Sequence, residues 1–90
     1  MADFDFPADL IDLQRAFYAA DRRCEEIGAS WPRPTAVAAG IEEISEEQHA
    51  ELSRARAERL EVVERMAAHP WWGTVDRLKA KAALRKAARA

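Results

Sequence analysis

Ninety residues make one domain, near the lower limit at which an apolar core holds a chain without disulfides or metals. An apolar share of 49% beside 33% charged residues excludes a disordered chain, yet alanine supplies much of that share, so the expected core is thin and self-association is favoured. The net charge of −2 hides a polarised layout, with residues 1–40 at −3, residues 41–70 at −4 and residues 71–90 at +5.

The chain opens with "MADFDFPADL", where aspartates stand in place of the basic residues of a signal peptide. No stretch approaches the roughly 18 apolar residues of a membrane span. A lone cysteine, Cys24, excludes an internal disulfide. A soluble cytoplasmic protein is the expectation.

Leu10, Leu13, Phe17, Ala20, Cys24 and Ile27 recur at spacings of three and four, which puts them on one stripe of an amphipathic helix. Pro7 suits a first helical turn, Asp9 and Asp12 complement the positive end of the helix dipole, and Gly28 is a natural stop. The first helix is expected at about residues 8–27. In "ASWPRPTAVAAG", Pro32 and Pro34 bias Trp31 and Arg33 away from helix. Residues 28–44 therefore read as a linker with room for one helical turn before Gly40, and Trp31 is expected to fold back over the helices.

A second helix is announced by "ISEEQ", in which Ser45 caps, Gln48 completes a capping box, and Glu46 and Glu47 fill the first turn. Leu52, Ala55, Val62, Val63 and Met66 form its apolar face, widened by Leu60 and Ala67. Arg56 and Arg59 intrude there, with stems that can pack and heads that can reach water or a carboxylate of the first helix. Pro70 limits this helix to about residues 46–68.

In "AHPWWGTVDR", the proline suits another helix start. Trp71, Val75, Leu78 and Ala82 follow at helical spacing, so a third helix at about residues 71–88 is expected to bury Trp71 and turn Trp72 outward. Gly73 weakens its first turn, which leaves Thr74 as the alternative start. The fold class is all-α: a three-helix antiparallel bundle, or a long helical hairpin with a packed N-terminal helix, in a single domain spanning residues 1–90.

The stretches "LIDLQRAFYAADRRC", "ISEEQHAELSRARAERL" and "AHPWW", followed by a basic alanine-rich end, resemble small alanine- and arginine-rich helical proteins of high-GC actinobacteria. Arginine outnumbers lysine 11 to 3, which fits that genome bias. The resemblance implies no activity.

Glu46 and His49 form one E-x-x-H pair, but di-iron bundles need two such motifs and further inward glutamates. A solvated helix start is the simpler reading, and no metal or cofactor is expected. Cys24 lies on the apolar stripe and reads as a small buried hydrophobe. No nucleophile has a histidine partner in a known motif, and three glycines form no phosphate loop. No enzyme activity is expected.

The sharpest feature is the basic end. Arg77, Lys81, Arg85 and Arg89 repeat every four residues, and each like-charged pair costs an isolated helix about 0.2–0.5 kcal/mol. Something acidic is expected to offset them. An antiparallel third helix would bring its end to Glu47 and Glu51 within the acidic run from Glu42; a phosphate backbone is the alternative. The leading functional expectation is a non-enzymatic helical interaction module that self-associates and docks a protein partner through an exposed helical face and Trp72. A small nucleic-acid-binding protein using the basic helix comes second.

Overall fold

The computed structural model describes residues 4–89, so both ends of the expected domain, residues 1–3 and 90, lie outside the described residues. The fold is an all-α bundle. In chain order come α1 (Ala8–Ala29), a short α2 (Pro34–Ala38), α3 (Glu46–Ala67), a 3₁₀ turn (Pro70–Thr74) and α4 (Arg77–Arg89), with no strand among the described residues.

Helix α1 starts where the Pro7 carbonyl accepts from the amides of Leu10 and Ile11. It runs through Gly28, where the sequence suggested a stop, and ends at Ser30, whose hydroxyl donates back to the Ile27 carbonyl at 2.6 Å. Pro32 and Pro34 then forbid continuation. The single left-handed residue among the described residues is Gly40 (φ 73°), which ends α2. The Ile41 and Gly40 amides bond to the carbonyls of Ala36 and Val37, the paired bonds of a Schellman motif.

Helix α3 opens with the expected capping box: the Ser45 hydroxyl accepts from the Gln48 amide at 3.1 Å, and the Gln48 side chain accepts from the Ser45 amide at 2.8 Å. It packs antiparallel along α1. Arg59 sits half-buried and donates to Asp21 at 2.8 Å, the reach to a first-helix carboxylate anticipated for it.

The region after α3 departs from expectation. His69 caps a 3₁₀ turn, its Nδ1 accepting from the Trp71 amide at 3.2 Å. Val75 is fully extended (φ −139°, ψ 166°), and α4 begins only at Arg77, later than either Trp71 or the alternative start at Thr74. A 3₁₀ turn advances about 120° per residue instead of 100°, and one extended residue resets the phase altogether. The buried stripe of α4 is therefore Ala80, Leu84 and Ala88, while Leu78, expected in the core, is 83% exposed.

The two tryptophans exchange their expected roles for the same reason. Trp72 is the buried one, 7% exposed, with its indole N–H donating to the Met66 carbonyl at 2.6 Å. Trp71 is half-buried and meets the rings of Phe4 and Phe6, holding the N-terminal segment against the bundle end.

Helix α4 packs on α1, not along α3. Leu10 shares a core cluster with Trp72, Ala80 and Leu84, and Arg15 donates to the Ala88 carbonyl, so α4 runs parallel to α1. A second cluster, of Cys24, Ile27, Leu52 and Ala55, lies at the opposite end of the α1–α3 pair beneath Trp31. Trp31 thus folds back as expected. Thirteen residues carry α4 about 20 Å, little more than a third of the bundle's 55 Å length.

Candidate protein-docking groove

Because α1 packs both α3 and α4, the two flanking helices leave a groove over its surface. The groove holds about 190 Å³. Gln14 and Phe17 of α1 form its floor, with Val63 and Met66 of α3 and Trp72. Arg77, Lys81 and Arg85 of α4 form the opposite wall. Gln14 is the only polar side chain in the buried set of the described residues, 6% exposed, so the floor retains an amide in an otherwise apolar surface.

The position of the basic wall follows from the α4 stripe. With Ala80, Leu84 and Ala88 against α1, residues one position on from that stripe, Lys81 and Arg85, flank it on the α3 side. Asp76, whose carboxylate accepts from the amides of Leu78 and Lys79, sets the helix start and hence this phase. The sequence carries that signal, an aspartate before a periodic run, beside a competing one in the proline of the Pro70–Trp71 step.

The four ladder residues divide into two kinds. Arg77 lies 5.6 Å from the centre of the Trp72 ring and donates to the Ala67 carbonyl at 3.3 Å, which also satisfies the end of α3. Arg89 lies 5.2 Å from the centre of the Tyr18 ring. Lys81 and Arg85 between them have neither ring nor carboxylate contact among the described residues. The expected pairing of this ladder with Glu47 and Glu51 does not form. The end of α4 stops level with Tyr18, far short of the acidic start of α3. Aromatic faces and helix-end carbonyls, rather than acids, accommodate the outer two charges.

Trp72, expected to project toward a partner, is instead buried at 7% exposure and lines the floor. The remaining candidates fall outside the groove. His49 of the E-x-x-H pair is exposed and meets Trp31 edge-on at 5.1 Å. Among the described residues no three His, Cys, Asp or Glu side chains converge as metal ligands, and Cys24 is buried. No helix among the described residues is long and apolar enough to cross a membrane.

A second polar site was not anticipated. His69 Nε2 lies 3.0 Å from Asp9 Oδ2, and this hydrogen bond holds the Asp9 carboxyl below its ordinary range. It ties the start of α1 to the turn that carries both tryptophans.

Residues 9–87 match the model of DUF8825, a domain family of unknown function, and the chain belongs to that family. No curated protein and no solved structure matches it.

Proposed function

We propose that this member of the family is a non-enzymatic helical interaction module that docks an acidic, apolar-faced segment of a protein in the groove between α3 and α4. The observation that carries the reading is the groove's composition: an apolar floor of Phe17, Val63, Met66 and Trp72 beside a basic wall whose Lys81 and Arg85 have no carboxylate partner among the described residues. An amphipathic helix laid into such a groove covers the floor with its apolar side chains and meets the wall with its acids. The single buried thiol of Cys24 fits a cytoplasmic setting.

Nucleic-acid binding is the second reading, favoured by six bases and no acid in α4. Two features rank it lower. The floor of the groove is apolar, and Arg77 and Arg89 lie against rings instead of forming a phosphate-spaced row with Lys81 and Arg85.

A synthetic helical peptide with leucine on one face and glutamate on the other, titrated by fluorescence anisotropy, tests the docking reading. Lys81→Gln/Arg85→Gln should weaken its binding about tenfold or more while leaving the circular dichroism unchanged. A mobility-shift titration of the parent with duplex DNA at low salt should give no shift. A tight, salt-sensitive DNA shift with no peptide binding would overturn the ranking.

A further inference from the structure

We propose that the groove's occupant is the acidic stretch of residues 41–51 from a second copy of this chain, exchanged reciprocally in an antiparallel two-fold dimer. The inference rests on the docking reading and names its partner.

Residues 41–51 have the chemistry the groove lacks. They carry five glutamates and no base, whereas α4 carries six bases and no acid. At the head of the stretch stands Ile41, 77% exposed. The residue after a Schellman glycine ordinarily packs its side chain back on the helix it ends. Here the motif's hydrogen bonds form and hold the Ile41 backbone in place, yet its side chain faces outward beside Glu42 and Glu43. An apolar side chain flanked by carboxylates is the complement of an apolar floor flanked by Lys81 and Arg85.

Within one molecule the two surfaces cannot meet. Glu47 and Val63 are 16 residues apart on one rigid helix, about 24 Å. A second copy laid antiparallel brings each acidic end over the other's groove, so one two-fold axis satisfies both contacts at once. One flank of α3 links the two ends: His49, Arg56, Leu60, Val63 and Ala67 recur along it at helical spacing, Val63 and Ala67 line the groove, and His49 meets Trp31, which borders one hollow with Glu42 and Gln48. Leu60, midway, is 57% exposed.

The exposed area is of the right size. The chain exposes 6722 Å², against about 5,300 Å² for a compact monomer of 10.1 kDa. The excess of about 1,400 Å² exceeds the roughly 800 Å² that each partner buries in a standard stable interface.

Charge reversal tests the pairing. Lys81→Glu/Arg85→Glu makes the groove acidic, and Glu42→Lys/Glu43→Lys makes the docking segment basic while sparing the capping box at Ser45. All four side chains lack ion-pair partners among the described residues, so both variants should fold, as circular dichroism will verify. In sedimentation equilibrium at low salt the parent should have twice the 10.1 kDa monomer mass. Each variant alone should dissociate with a constant raised about a hundredfold or more, and an equimolar mixture should recover the dimer, since both of its contacts are again complementary. Should either variant misfold, the glutamine forms replace it, and loss of the dimer in both is then the expected result. A parent that stays monomeric at hundreds of micromolar overturns the proposal, as does a mixture that fails to reassociate. If the parent stays monomeric yet still binds the leucine–glutamate peptide, only the self-pairing falls; if peptide binding is absent as well, the docking reading falls with it.

Discussion

Trp71 and Trp72 are adjacent and chemically identical, yet only Trp72 is buried and donates to the Met66 carbonyl. Trp72→Ala should therefore cost about 3–5 kcal/mol in urea denaturation, and Trp71→Ala clearly less, because its indole is half-buried against Phe4 and Phe6. Equal losses would mean that the two rings share the burial. The His69–Asp9 contact gives a separate, pH-dependent outcome. The carboxyl is depressed in the folded chain, so its contribution is fully present above the unfolded value and is lost as pH falls through the folded one. Melting temperature should begin to fall as pH drops toward 3.8, the ordinary Asp value, and fall further below it. Asp9→Asn should flatten that limb without changing the curve's other features. None of this is legible in the sequence, since residues 9 and 69 are joined only by the packing of α1 against the 3₁₀ turn.

Helix α4 is held by a stripe in which Leu84 is the only large side chain; Ala80 and Ala88 bury little area each. Leu84→Ala should cost about 2–5 kcal/mol locally. Hydrogen exchange should then show the α4 amides losing protection before those of α1 and α3, which retain the second cluster around Leu52 and Ala55. Uniform loss across all three helices would instead mean one cooperative core. At this scale α1 and α3 were readable from periodicity and caps, because each is a single long helix whose phase never resets. The phase of α4 was not, because the 3₁₀ turn and extended Val75 intervene between the tryptophans and Asp76.

The whole molecule is elongated. Its radius of gyration is 17.5 Å, against about 12 Å for a compact chain of this length. The core is split between two ends, with Leu10, Trp72 and Leu84 at one and Ile27 and Leu52 at the other. Charge is polarised along the same axis, acidic toward residues 41–51 and basic over α4. Such a body has little core per residue and much exposed flank, and both follow from α4 having 13 residues against 22 in each of α1 and α3.

The all-α class, the stripe of α1, the capping box of α3, the linker with its helical turn and the basic ladder were determined by the sequence itself, because each depends on spacings within one continuous segment. Tertiary structure alone decided which tryptophan is buried, that α4 lies on α1, and that its basic wall borders an apolar groove instead of meeting Glu47 and Glu51. Those outcomes turn on the geometry of five connecting residues, Pro70–Thr74, and on a helix too short to reach the acids. A small change in connector twist rotates every side chain after it, and periodicity on either side carries no record of that angle.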